Sequence, residues 1–242
     1  ARSKGTIVLV HLYPREMSIY GDLGNTRCLA TRIERHGYAV DLRNHHPGEP
    51  FPTDGQLFMG GGGQDSGQAR VEDDLTRNGA ELHAMARDGI PMLMICGMYQ
   101  LFGNAFVTVE GQELPGLGIL DVTTQGNVRR MIGRVVVDTA HGLVVGYENH
   151  SGATELASGQ KAFGVVRVGH GNNGADHSEG AVIHHVIGSY LHGPLLPANP
   201  AVADWLIAQA AERATGRPFD PGELDDSLAT EARTRQIRRL MR

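Results

Sequence analysis

Only two cysteines, Cys28 and Cys96, occur in the 242 residues, so disulfide staples are not what holds this chain together, and a chain of this length buries enough apolar surface to do without them. Charge of one sign is also lacking. The 22 Lys and Arg against 27 Asp and Glu give a net charge of -5, which excludes the basic footprint expected of a nucleic-acid binder. No apolar run approaches the roughly 20 residues that cross a bilayer. The opening Ala1-Arg2-Ser3-Lys4-Gly5 leads into a strand-like run without the apolar core of a secretion signal, so a cytoplasmic location is expected. The 12 histidines are scattered, and neither CxxC nor HExxH occurs, so no metal site is expected. A GxxxxGK[ST] phosphate loop is missing too, which leaves this chain without an evident means of using ATP. No internal period indicates repeats.

What is present alternates between two periodicities. Thr6-Ile7-Val8-Leu9-Val10 is a β-branched run of strand length, and the turn-rich stretch Ser18 to Asn25 precedes a helical pattern from about Thr26 to His36, ended by Gly37. Tyr38 to Leu42 reads as the next strand. A loop then crosses to Gln56-Leu57-Phe58-Met59, which enters Gly60-Gly61-Gly62-Gly63. A long helix is predicted from about Gln68 to Arg87, weakened at Gly79, before the apolar run Ile90 to Ile95. Strands alternating with helices predict an α/β fold with a mostly parallel central sheet flanked by helices, whose ligands bind beyond the carboxyl ends of the strands. From Gly118 to about Val168 the pattern changes to short strands (119–122, 132–137, 143–147 and 163–168), an antiparallel section in the second half. A strand Val186 to Leu191 then delivers His192, and Asn199-Pro200 opens a helix to about Arg213. The reading is one domain over residues 1–215 and a charged, helical tail over 216–242, basic at Arg233, Arg235, Arg238 and Arg239.

Cys96 is the focus of the chemistry. An apolar strand runs into Cys96-Gly97 and a short helical stretch, which is the layout of a nucleophile elbow: the side chain is lifted clear of the sheet edge and the first helical N–H groups face whatever it attacks. A helix N-terminus favours thiolate over thiol, and the thiolate is the nucleophile. Cys28 lies on a helical face with Leu29 and Ile33 and reads as packing. A cysteine nucleophile needs a base, and His192, also at a strand's carboxyl end and followed by Gly193-Pro194, is the candidate.

Three blocks carry a family resemblance. Ile95-Cys96-Gly97-Met98-Tyr99-Gln100-Leu101, Tyr147-Glu148-Asn149-His150 and Gly188-Ser189-Tyr190-Leu191-His192-Gly193-Pro194 resemble, in this order, the signature blocks of the class I glutamine amidotransferases of the cobyric acid synthase type. The segment Tyr13 to Asn25 and the block Gly60-Gly61-Gly62-Gly63-Gln64-Asp65 are most similar to the glutaminase subunits of the bacterial lipid II isoglutaminyl synthase family.

The resemblance implies a class I amidotransferase fold and a substrate, L-glutamine, whose side-chain carboxamide Cys96 attacks to give a glutamyl thioester and ammonia. His192 would be base and then acid. The oxyanion needs backbone donors, for which Gly97 and, from the glycine run, Gly62 are the candidates. Arg130, in its Arg-Met-Ile-Gly context, matches the family's substrate-binding arginine, with Arg129 as the competitor; a guanidinium suits the α-carboxylate. Gln100 matches a recurrent glutamine of the elbow helix, where it either meets substrate or packs beneath the loop. In many class I enzymes a glutamate follows the histidine by two residues, but here that position is Pro194. Either Cys96 and His192 work as a dyad, or an acidic residue comes from elsewhere: an aspartate of the partner subunit, as the family implies, or Glu148 within the chain. The implied partner is an ATP-dependent, Mur-ligase-like synthetase subunit, forming a heterodimer, that carries ATP and Mg and activates the D-glutamate of lipid II for amidation to D-isoglutamine. No cofactor is expected in this chain. A cobyrinate-type acceptor, a stand-alone cysteine hydrolase and a silent binding module are the competing readings.

Overall fold

The aliphatic runs that read as strands lie at the centre of a six-stranded sheet in the computed structural model, which describes residues 3–63 and 65–242, residue 65 by its backbone alone. Ala1 and Arg2 of the opening and Gln64 of the glycine block lie outside the described residues. In chain order the elements begin with β1 (Thr6–Leu12), a 3-10 turn (Ile19–Gly21), α1 (Leu23–Arg35), β2 (Ala39–His45), β3 (Leu57–Gly60), α2 (Asp65–Arg77), α3 (Gly79–Arg87), β4 (Met92–Ile95) and α4 (Gly97–Phe102). They continue with β5 (Ala105–Val107), β6 (Glu113–Pro115), β7 (Val122–Thr139), β8 (Gly142–Leu156), β9 (Gly164–Val168), β10 (Ser178–Glu179), β11 (Ala181–Ile183), β12 (Val186–Ser189), α5 (Leu195–Ala198), α6 (Pro200–Thr215) and α7 (Ser227–Leu240).

The first sheet has the order β11-β12-β4-β3-β1-β2. All its neighbours are parallel except the edge pair β11 and β12. Every residue of β3, β4 and β12 is buried, and since successive side chains point to opposite faces, both faces of the sheet are covered, as a parallel sheet requires. α1 and α6 pack together across β1, and α2 packs against α3 and α4. The second sheet, β10-β9-β7-β5-β6 with β8 paired to β7, is mostly antiparallel.

Two elements differ from the sequence reading. The helix expected over 68–87 is two helices, because Asn78 leaves the helical basin (φ -92°, ψ 3°) and its side chain donates to the Asp74 carbonyl at 2.8 Å, competing with the backbone ladder. The short strands expected between 118 and 156 are instead one long hairpin, β7 and β8, whose register shifts between Gly126 and Met131. The middle of β7 is exposed and carries Arg129 and Arg130, so the alternation of buried and exposed residues is lost on that strand.

Glu179 is fully buried behind the strand that leads to His192. It accepts from the Ser189 hydroxyl at 2.6 Å and the Tyr190 amide at 2.9 Å. Burial outweighs these bonds and pushes its carboxyl up to about 7. A carboxyl raised in the folded state contributes stability that is complete below its unfolded pKa and lost as pH rises through the folded value. Against Glu179→Gln, which mimics the protonated form, the wild type should therefore lose roughly 3 kcal/mol in thermal or urea unfolding as pH rises from about 4.5 to beyond 7. A difference that stays flat across this window would refute the assignment.

Candidate active site

β4 and β12 are parallel neighbours, with Ile95 opposite Ser189. Cys96 and His192 follow from these two strand ends, and the Cys96 amide donates to the Ser189 carbonyl at 2.8 Å. Cys96 has φ 53° and ψ -105°, a conformation costly for a residue with a side chain, and it directly precedes α4. That is the elbow geometry. The Gln100 amide returns to the Cys96 carbonyl at 3.0 Å, closing the turn.

His192 is pinned by two backbone hydrogen bonds with Tyr147 of β8, at 2.8 and 3.0 Å. Its Nδ1–H donates to Asp22 Oδ1 at 2.9 Å, and its Nε2 is buried with no hydrogen-bond partner among the described residues. Burial works against the imidazolium, yet the hydrogen bond to Asp22 and the nearness of Cys96 outweigh it and raise His192 to about 10. Tyr20, itself at φ 53°, covers the ring edge-on with centroids 5.1 Å apart. Cys96 and His192 flank one small space at Gly62: a Cβ there would lie 3.0 Å from His192 Cε1 and 3.2 Å from Cys96 Cβ.

The carboxylate at His192 is Asp22, which the sequence reading did not single out. Glu148 is not an alternative: it accepts from the His170 amide (2.8 Å), the His170 ring (2.7 Å) and the Gly171 amide (2.9 Å). The Nδ1 side of the imidazole, where the resemblance implied an aspartate of a partner, is filled by this chain's own Asp22. The other oxygen of Asp22 accepts from the Gly62 amide at 2.6 Å, so that N–H is already engaged. At the elbow, a Cβ on Gly97 would meet the Gly63 amide nitrogen at 3.0 Å, which puts the Gly63 amide against the start of α4. The signal for Asp22 lay in Gly21-Asp22-Leu23-Gly24-Asn25, a segment that reads as turn chemistry when taken alone.

A cleft of about 410 Å³ opens over Cys96, lined among others by Gln100, Arg130, Asn149 and His150. Such a volume suits a small polar molecule. Arg130 lines it, whereas Arg129 does not. The Arg130 guanidinium donates to the Asn149 side-chain oxygen at 2.8 and 3.1 Å, which orients its fork. Gln100 reaches the cleft but is committed to the protein: it accepts from Gln68 at 2.6 Å and donates to the Tyr190 hydroxyl at 3.1 Å. His150 stacks on Tyr190 with centroids 3.6 Å apart, and burial lowers it to about 4, so it is neutral. Among the described residues no group of three His, Cys, Asp or Glu could hold a metal ion, and no helix is long and apolar enough to cross a membrane. The arrangement can deliver the sulfur of Cys96 to an acyl carbon with a protonated imidazole beside it as proton donor.

Comparison with known proteins identifies a family. The profile of the CobB/CobQ-like glutamine amidotransferase domain matches residues 8–200. The lipid II isoglutaminyl synthase (glutamine-hydrolyzing) subunit GatD of Staphylococcus aureus (strain N315) is 36% identical over 229 residues, 94% of this chain and 93% of that protein. The subunit of the same name from Streptococcus pneumoniae (strain ATCC BAA-255 / R6) is 33% identical over 230 residues, 92% of this chain and 87% of its own. A crystal structure of a glutamine amidotransferase shares the fold with TM-score 0.57 at 13% identity, over 83% of this chain and 98% of that one.

Gly62 offers a check on the geometry that is independent of substrate. Its φ lies outside the region reserved for glycine, so Gly62→Ala strains no backbone, and its methyl is pressed between Cys96, His192 and Ile19 at a cost of about a few degrees in melting temperature. Alkylation of Cys96 by iodoacetamide at neutral pH should slow on the order of tenfold, the effect of about 1.4 kcal/mol. An unchanged rate would mean that the two groups are not held in contact across this space.

Proposed function

Since the chain belongs to the CobB/CobQ-like glutamine amidotransferase family, we propose that it is a glutaminase subunit that hydrolyses L-glutamine through a cysteine thioester and passes the ammonia to a partner amidating lipid II. The observation that carries this reading is the elbow thiol of Cys96 beside the buried His192, at the base of a cleft with an arginine on its rim.

Cys96 sulfur bonds to the carboxamide carbon of glutamine, and the carbonyl π electrons move to oxygen. The α-amide of Gly97, first in α4, meets that oxyanion, with the glycine loop of residues 60–63 as the opposite wall. The Gly63 amide stands next to Gly97, while the Gly62 amide would have to leave Asp22 to contribute. Collapse of the intermediate breaks the C–N bond, and the proton held by His192 goes to the departing nitrogen. Water, deprotonated by the same imidazole, then opens the thioester to glutamate and free thiol. Arg130 takes the α-carboxylate in two parallel hydrogen bonds, exchanging Asn149 for substrate.

Ammonia set free in water at neutral pH is mostly protonated and no longer nucleophilic, so the product is useful only if it stays sheltered. A second hollow of about 250 Å³ touches His192 and is walled by Tyr147, Pro194 and Gln236 of α7, a shelter in which ammonia would lie beside the imidazole. The sequence carries no phosphate loop, so activation of a carboxylate falls to an ATP-dependent partner, Mur-ligase-like by family resemblance. The two GatD relatives, named as subunits of lipid II isoglutaminyl synthase, support lipid II as the acceptor.

Ammonia release from L-glutamine should fall to background in Cys96→Ala. Arg130→Ala should raise KM for glutamine roughly 10- to 100-fold with a smaller effect on kcat, as expected for a charge-assisted bond worth about 1.5–3 kcal/mol. With the ATP-dependent partner, lipid II amidation from glutamine should be lost in Cys96→Ala and restored by ammonium chloride. Undiminished ammonia release in Cys96→Ala would end the assignment.

A further inference from the structure

We propose that Asp22 is the positioning residue that completes the catalytic apparatus from within this chain, holding His192 through one carboxylate oxygen and the Gly62 amide through the other. The inference rests on the reading of Cys96 and His192 as a nucleophile and its base, and goes beyond it by removing the need for a carboxylate from another subunit.

Asp22 is 0% exposed and His192 1% exposed. A carboxylate taken wholly out of water is tolerated only where its oxygens are bonded, and both oxygens of Asp22 are: His192 Nδ1 at 2.9 Å and Gly62 N at 2.6 Å. Asp22 also occupies the N-cap position of α1 but makes no side-chain bond to that helix. An aspartate there ordinarily caps; this one gives up its own helix to reach a residue 170 positions away.

The reach is built in by its neighbours. A Cβ on Gly24 would lie 2.5 Å from the Pro194 ring, so the absent side chain is the seat of Pro194. Asn25 Oδ1 accepts from the Leu196 amide at 2.8 Å. Asp22, Gly24 and Asn25 thus engage His192, Pro194 and Leu196 in turn, and the start of α1 is clamped along the base-bearing loop. This gives Pro194 a function where many class I enzymes have a glutamate: its ring is the docking surface that brings Asp22 into place. A partner's aspartate could reach Nδ1 only by displacing Asp22 and breaking this clamp.

The ionisable groups around the pair are Cys96 and Tyr20 beside the imidazole, His150 on β8 and His11 on β1, behind Asp22. Burial holds His150 and His11 near 4, so both are neutral. Asp22 is the carboxylate within hydrogen-bond distance of His192.

The test uses the full chain without a partner, as wild type, Asp22→Asn and Asp22→Glu, and reads iodoacetamide alkylation of Cys96 by peptide mass spectrometry from pH 5 to 10. Cys28, pushed up to about 11 by burial, serves as an internal unreactive thiol. In Asp22→Asn the imidazolium loses its anion and the alkylation profile should move to higher pH by at least one unit, with Asp22→Glu lying between it and wild type. Melting temperatures should agree within a few degrees. Wild-type chain alone should release ammonia from glutamine, and Asp22→Asn should lower kcat by on the order of 10²- to 10⁴-fold with little change in KM. Coincident alkylation profiles would overturn the proposal, whatever happens to the turnover rate. The profile needs no glutamine, so a wild-type chain that hydrolyses none, yet shows the shift in Asp22→Asn, would sink the glutaminase reading and leave the role of Asp22 standing.

Discussion

The parallel pairing of β4 with β12 is the constraint on which the site depends. With Met94 opposite Gly188 and Ile95 opposite Ser189, the two strands end level, and the next residue of one is Cys96 while the other runs through Tyr190 and Leu191 to His192. Side-chain direction alternates along a strand, so a slip of one residue would reverse which groups face the cleft. The pairing is guarded against such a slip. A Cβ on Gly188 would lie 2.1 Å from the Tyr99 ring, so the elbow helix closes down on β12 at this glycine, and the Cys96 amide takes the Ser189 carbonyl. The strained φ of Cys96, worth about 1–3 kcal/mol, is held by the same bonds that set the register.

The parts of the molecule legible in the sequence are those whose signals are local. A continuous apolar run before Cys96-Gly97 and a β-branched run before His192 place two strands, and strand ends are where a parallel sheet binds ligands. Asp22 was not legible because its partner is 170 residues away and its immediate neighbours, glycines and an asparagine, are those of an ordinary turn. Local reading also asks an aspartate at a helix start to cap, and here the side chain does something else. The hairpin of β7 and β8 escaped for a different reason. Residues 127–130 in the middle of β7 are all exposed, so this strand loses the alternation that betrays a half-buried strand, and Gly126, Gly133, Gly146 and Gly152 cut the pattern of the pair into pieces.

This hairpin also explains how one chain makes two kinds of wall. The parallel sheet supplies the reacting groups at strand ends, rigid because both faces are packed. The antiparallel hairpin adds Arg130, Asn149 and His150 to the cleft from the side, with the Arg130 side chain exposed. His150 stays neutral against Tyr190, which itself hydrogen-bonds Gln100 and Thr154. In the proposed reading, chemistry and recognition thus come from separate sheets joined by buried polar contacts around Tyr190.

The glycine run argues that closeness rather than flexibility shapes the site. None of Gly60, Gly61, Gly62, Gly63 or Gly97 is among the residues of positive φ, so no backbone requirement selects glycine there. Each is crowded instead. A Cβ would lie 2.7 Å from Met94 Sδ at Gly60, 2.4 Å from the Met17 carbonyl oxygen at Gly61, 2.3 Å from Met17 Sδ at Gly63 and 2.7 Å from Gln68 Nε2 at Gly97. Met17 thus lies against both the loop and the elbow and braces them together. With side chains removed, backbone amides can approach Cys96 closely, which the proposed oxyanion role requires, and Asp22, bonded to Gly62 and His192, ties this loop to the imidazole. Nucleophile, donors and base are in this way held by one packed unit, so a displacement of any of them is felt by the others.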